Sequence, residues 1–204
     1  MCGAGGAAGV RGTGKLAMAW RWIWGVGLAC VLAAGSARAA EFEITPVPAE
    51  EALQVTGRIG PRFAASVQAA LDAYPGTRVL IVHSRGGLLH EARKVAALLN
   101  ARGIAIRADG RCASACAVLW AATDAREMTA DARLGLHRST WHAPLPAPLR
   151  AWSEKRSDRA NVRVFLDAGF SPELAARAAQ TPSSGMYWIG ALELKREHVA
   201  FVLD

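Results

Sequence analysis

A serine, a histidine and two glycines are spaced along this chain in a way that suits acyl transfer. Ser114 sits in Gly110-Arg111-Cys112-Ala113-Ser114-Ala115-Cys116-Ala117, among small residues at the head of an apolar stretch. About two dozen residues earlier an apolar run ends in Ser84-Arg85-Gly86-Gly87, and about as far downstream comes Gly135-Leu136-His137. Acyl transfer needs a nucleophile, a base to take its proton, and backbone N–H groups aimed at the oxyanion. Ser114 and His137 are the candidates for the first two roles, and the amides of Gly86, Gly87 and Ala115 for the third. Glycine lets the backbone approach a carbonyl closely, and a helix N-terminus favours negative charge beside it. Each residue also has a plainer reading. Ser114 would cap a buried helix, His137 would end a strand and bond a backbone carbonyl, and Gly86-Gly87 would be a strand-to-helix turn. His83 and His142 could join His137 on a metal, but their flanks lack the spacing of such a site. No metal and no cofactor is expected.

The elements that must position these groups alternate. Ala52 to Gly57 reads as a strand, and Pro61 to Ala73 as a helix with Phe63, Val67 and Leu71 on one face. Val79-Leu80-Ile81-Val82 is a short continuous apolar, mostly β-branched run, the mark of a strand buried on both faces. A helix spans Leu88 to Arg102, stopped by Gly103, then a strand covers Ile104-Ala105-Ile106 and a buried helix runs from Ser114 to Ala122. Such alternation predicts an α/β domain with a mostly parallel sheet flanked by helices. Ligands in such sheets sit outside the carboxyl ends of strands, and Gly86-Gly87 falls at one. The C-terminal third reads as a helical arm. Ala147 to Ala168 is one helix, and a second, capped by Ser171-Pro172-Glu173, runs to Ala179. Met186-Tyr187-Trp188-Ile189 and a short strand through Val199-Ala200-Phe201-Val202 close the chain. Trp141, Trp152 and Trp188 are candidates for lining the pocket.

Residues 1–39 hold Arg11, Lys15, Arg21 and Arg38 but no acid, with an apolar run from Trp22 to Ala34 and Ala37-Arg38-Ala39 ahead of Glu41. A basic start, a short apolar run and an Ala-x-Ala exit predict a secretory signal peptide cleaved after Ala39. The apolar run falls short of the ~20 residues a membrane span needs, so membrane contact is expected only during export. Residues 40–204 then form the mature domain, periplasmic or secreted. Gly9-Val10-Arg11-Gly12-Thr13-Gly14-Lys15 imitates a phosphate loop, but Leu16 stands where Ser or Thr must hold magnesium. Removing the four leader cations from 24 basic residues leaves 20 against 17 acidic, a net of +3. That balance, with no block of Lys/Arg interleaved with aromatics, argues against nucleic acid as a partner. Cys112 and Cys116 are the mature chain's only cysteines, in an oxidising compartment. A cross-link between them requires Cys112 to lie just outside the helix; otherwise they are two small buried hydrophobes.

Val55-Thr56-Gly57-Arg58-Ile59, Val79 through Gly87, Gly110 through Cys116 and Ala132-Arg133-Leu134-Gly135-Leu136-His137 together resemble the ClpP/crotonase superfamily, most closely its exported bacterial branch. The resemblance implies that fold, with Ser114 as nucleophile, His137 as general base, and Gly86, Gly87 and the amide after Ser114 as the oxyanion hole. It also implies a peptide or other acyl substrate and a homo-oligomer. The chain departs from the family at the third catalytic member, which should fall shortly before Tyr187. The local sequence is Thr181-Pro182-Ser183-Ser184-Gly185-Met186, without a carboxylate. Ser184 (or Ser183) could accept the imidazole N–H but cannot stabilise imidazolium as an anion does; Asp167 and Glu193 are the other candidates. The expected function is an exported serine hydrolase. The alternative is an inactive envelope protein that binds a carbonyl or carboxylate ligand in the same pocket. A crotonase-type thioester enzyme is disfavoured because acyl-coenzyme A is scarce outside the cytoplasm.

Overall fold

The carboxyl ends of three neighbouring parallel strands are what bring the glycine pair, the serine and the histidine to one place. The computed structural model describes residues 41–141 and 144–204; the expected signal segment, the phosphate-loop look-alike and His142 lie outside them. In chain order the elements are β1 (Phe42–Val47), a 3-10 turn (Pro48–Glu50), β2 (Ala52–Ile59), α1 (Phe63–Ala73), β3 (Val79–Gly87) and α2 (Leu89–Arg102). Next come β4 (Ala105–Ala113), α3 (Ala115–Ala122), β5 (Arg126–Met128), β6 (Arg133–Leu136), α4 (Ala147–Asp167), α5 (Pro172–Gln180), β7 (Tyr187–Gly190), α6 (Ala191–Arg196) and β8 (Val202–Leu203).

One sheet holds all eight strands, ordered β1-β2-β3-β4-β5-β8, with β6 pairing β4 and β7 pairing β6. The β1–β2 and β6–β7 pairs are antiparallel and the rest parallel. This is the mostly parallel, helix-flanked α/β domain that the alternation predicts. The β-branched run at the head of β3 is buried throughout. α3 is buried from Ala115 to Ala121, which explains why it is apolar all round. Its Trp120 is fully buried and donates Nε1–H to the Glu127 carbonyl at 2.8 Å, so the one polar atom of that large ring is satisfied. α1 buries Phe63, Val67 and Leu71, and α2 buries Ala92, Val95, Ala96 and Leu99. Buried Glu91 fastens these helices together: its carboxylate accepts the Ala64 N–H at 2.9 Å and pairs with Lys94 at 2.9 Å. Those bonds hold its pKa below the ordinary glutamate value.

β4 is the element that decides the site. Its first half pairs β5 through Ile106–Ala108, and its last three residues pair β6 through Arg111–Ala113. Against β3 the register jumps from Val82↔Ala108 to Ser84↔Cys112. The extra residues form a bulge at Gly110, whose φ of +65° suits glycine. Bulges of this kind bend a strand and re-aim the side chains beyond them. The short strand expected over Ile104–Ile106 therefore continues much further than its apolar core. The final strand also differs from expectation. The Val199 N–H bonds the Leu194 carbonyl to close α6, and pairing with β5 begins only at Val202.

Candidate active site

Ser114 occupies the corner between β4 and α3, with φ +56° and ψ −121°. A non-glycine residue held there stores on the order of 1–3 kcal/mol, retained only where surrounding structure over-determines it. The surroundings do so. The Ser114 N–H bonds the Gly135 carbonyl of β6 at 2.8 Å, and its own carbonyl accepts the Val118 N–H at 3.2 Å. Cys112 and Cys116 form a disulfide with Cα atoms 5.1 Å apart, one partner on β4 and the other in the first turn of α3. Both are fully buried. The bridge closes over the strained residue between them. Although Ser114 stands at the N-cap position, its hydroxyl does not cap the helix. The simplest structural use of that side chain is therefore not made.

The glycine pair packs directly on this corner. Gly86 has φ +86°, and a Cβ added there would lie 2.8 Å from the Ser114 Cβ and 2.9 Å from the Ala115 nitrogen, besides colliding with the Ala113 carbonyl. Only glycine fits a backbone pressed that close. The two glycine amides are not equivalent. Gly86 N–H donates to the buried hydroxyl of Ser84 at 3.1 Å, a bond a ligand oxygen would have to displace. Leu88 N–H donates to the Ile59 carbonyl of β2 at 2.8 Å, beside the Ile59↔Gly87 pair of the β2–β3 ladder. The Ala115 amide, first in α3, has no acceptor within its helix. Gly86 is thus the residue that permits the close approach at this corner. Ser84 is a residue that sequence reasoning misses, although a serine two residues before a glycine pair has the spacing of a local side-chain-to-backbone bond.

His137 comes directly after β6. Ala113 pairs Gly135 in a parallel ladder, so Ser114 and His137 follow one and two residues after the last pair, at the same end of the sheet, with no hydrogen bond between them. The imidazole Nδ1 is buried and has no hydrogen-bond partner among the described residues, so the carbonyl bond of the plainer reading is absent. None of the candidates for orienting the ring does so here. Ser184 is exposed and makes no bond to it. Glu193 instead accepts a hydrogen bond from the Tyr187 hydroxyl at 2.8 Å, which with burial raises the Tyr187 pKa. Asp167 is exposed at the end of α4. The segment after His137 is held by the middle of α4. Asp158 accepts the Ser139 N–H at 2.6 Å, and Asn161, itself buried, donates to Ser139 Oγ at 3.1 Å while accepting from Arg93 at 2.9 Å. The spacing Asp158, Asn161, Phe165 puts these on one helical face, a polar interruption of a packing stripe that could have flagged them.

The tryptophans separate. Trp188 lies on β7 opposite Gly135, with the Arg111 guanidinium 5.9 Å from its ring centre. Trp141 and Trp152 line a different cavity of about 260 Å³ with Arg93 and Arg156. His83 caps the β4 bulge through the Asp109 carbonyl at 3.0 Å.

No protein-family model and no curated protein matches this chain. Among solved structures it is similar to a point mutant of ClpP1 from Listeria monocytogenes, 16% identical, with a TM-score of 0.60 over 76% of this chain and 93% of that one. The domain therefore has a ClpP-like fold.

Proposed function

We propose that the chain is an exported serine hydrolase acting on a peptide or other acyl substrate. Ser114 Oγ attacks the substrate carbonyl carbon, and its proton passes to His137. The oxyanion is received by the amides of Gly87 and Ala115. His137 returns the proton to the leaving group, and water releases the acyl group from Ser114 by the reverse sequence. With Nδ1 buried, Nε2 is the nitrogen available to the serine, which requires the Nδ1–H tautomer. That N–H has no acceptor among the described residues, a deficit of about 1–3 kcal/mol. The dyad accordingly works without the anion that a full triad supplies.

One observation carries this reading: Ser114 is held in a strained backbone at a helix N-terminus, yet its hydroxyl does no capping. Strain of that kind gathers at functional sites. Export through the leader, with cleavage after Ala39, is part of the same proposal, and the Cys112–Cys116 disulfide suits an oxidising compartment. A homo-oligomer is supported by the exposed apolar residues of the helical arm, Leu149 at 48% and Trp152 at 54%. The second reading, a binding module without turnover, is favoured by the unpartnered Nδ1.

Fluorophosphonate labelling of residues 40–204 in the oxidised form separates the two. The hydrolase reading expects covalent labelling that both Ser114→Ala and His137→Ala abolish. A folded, oxidised protein that stays unlabelled leaves the binding module.

A further inference from the structure

We infer that this site selects substrates carrying a carboxylate two to four residues from the reacting carbonyl, and that Arg111 and Arg133 recognise it. The inference rests on the hydrolase reading for the position of the reacting carbonyl, and adds the substrate class.

Arg111 of β4 and Arg133 of β6 are direct partners in the parallel ladder. Neighbouring strands lie about 4.8 Å apart, and like charges set opposite one another there destabilise a sheet. Both side chains are exposed, and neither forms an ion pair among the described residues. Arg107, four positions earlier on β4, shows how the chain treats an arginine meant for structure. It is bracketed by Glu50 at 2.6 Å, Glu127 at 2.8 Å and Asp204 at 3.1 Å. Of the acids closest in sequence to the unpaired two, Asp131 is bonded to Thr129, and Asp109 offers only its carbonyl, to His83. Two adjacent cations are left facing outward without an anion.

Their place relative to the chemistry gives them a use. Alternation puts Arg133, Gly135 and His137 on one side of the chain. A Cβ on Gly135 would lie 2.9 Å from Trp188 Cζ3, so the indole spreads across β6 at that glycine. The strip thus runs from the arginine pair, over the Trp188 ring, to the base. From Arg133 to His137 it is about 13 Å at 3.3 Å per residue, the length of some four residues of extended peptide. Trp188 is a floor for the intervening chain, and guanidinium forks match carboxylates in geometry as well as charge.

The test uses short acyl-peptide p-nitroanilides that differ only in Glu, Gln or Lys at the second to fourth residue before the cleaved bond. The wild-type domain should turn over the best Glu substrate about tenfold or more faster, by kcat/KM, than its Gln twin. The Lys peptide should be worse than both, and the Glu preference should shrink at high salt. In Arg111→Gln/Arg133→Gln the Glu/Gln ratio should collapse to within about twofold, while Arg111→Lys/Arg133→Lys keeps part of it. A second arm needs no turnover: Ser114→Ala protein titrated with the same peptides, monitored by tryptophan fluorescence, should bind Glu over Gln by a similar factor. Equal treatment of Glu and Gln in both arms overturns the inference, even if the serine labels with fluorophosphonate. Glu-selective binding by a protein that neither labels nor hydrolyses keeps the subsite and removes the hydrolase. If the Gln pair fails to fold, the wild-type selectivity and the Lys pair still decide.

Discussion

The corner that carries Ser114 and the corner that carries His137 are built to different standards, though they are adjacent strand ends of one sheet. At the serine, a bulge aims the strand, a disulfide closes the turn, a cross-strand bond fixes the amide, and a glycine backbone presses against it. The disulfide, the cross-strand bond and the glycine contact all close on one residue. At the histidine, a buried ring nitrogen has no partner among the described residues, and the loop expected to supply one turns exposed serines to solvent. Its support comes second-hand, from α4 side chains gripping Ser139. The molecule holds the Ser114 corner firmly and leaves the His137 ring weakly oriented. On the proposed hydrolase reading, oxyanion stabilisation, often the largest single catalytic contribution, is what would offset an imperfect base.

The largest way to break the contrast is at Gly86. Gly86→Ala forces a Cβ into the Ser114 corner at a φ of +86°. It should cost about 3 kcal/mol or more of stability and abolish fluorophosphonate labelling, measured by urea denaturation and gel fluorescence. Labelling that persists would mean the glycine loop does not set the site. Next is the disulfide. Cys112→Ala/Cys116→Ala should lower stability by about 2 kcal/mol, the low end of the usual range because the loop closed is short. Labelling should fall more steeply than stability predicts, since the Ser114 backbone relaxes.

On the histidine side the effects should be smaller. Asn161→Ala removes the link among Arg93, Ser139 and α4, and should destabilise by about 1 kcal/mol. Its label incorporation should fall through a looser His137, whereas a purely structural role would leave the labelling rate of the folded fraction unchanged. The smallest effect is expected at Ser184. Ser184→Ala should alter labelling by less than about twofold, because leaving out an unmade hydrogen bond removes nothing. A drop beyond about tenfold would show that substrate swings the Thr181–Gly185 turn onto the ring, and would erase the contrast between the two corners.

The expected helices at Pro61–Ala73 and Leu88–Arg102 and the apolar head of β3 were legible because local periodicity and buried β-branched runs carry their own signal. β1 was not. It is an edge strand with Pro46 within it and a mixed burial pattern, so no strict alternation marks it. β5 and β8 are too short for any period, and β8 exists only because β5 offers it a ladder. Within the site, Ser114, Gly87 and Ala115 could be singled out from small residues at a strand-to-helix junction. The Ser84–Gly86 bond has a local spacing that sequence could have flagged, but which face of the corner each amide takes depends on the twist of the strand.

The sequence alone determined the alternation of strands and helices, the residue types that do acyl chemistry, and the two cysteines flanking the serine. All of these are local: they need only the order of neighbours along the chain. The tertiary structure decided that the cysteines bridge, that the histidine has no third member among the described residues, and that Arg111 and Arg133 stand side by side without an anion. The bridge turns on where β4 gives way to α3, and the other two on register between strands far apart in sequence. A β4–β6 ladder shifted by one residue would have parted Arg111 from Arg133 and turned the β6 side chains to the other face.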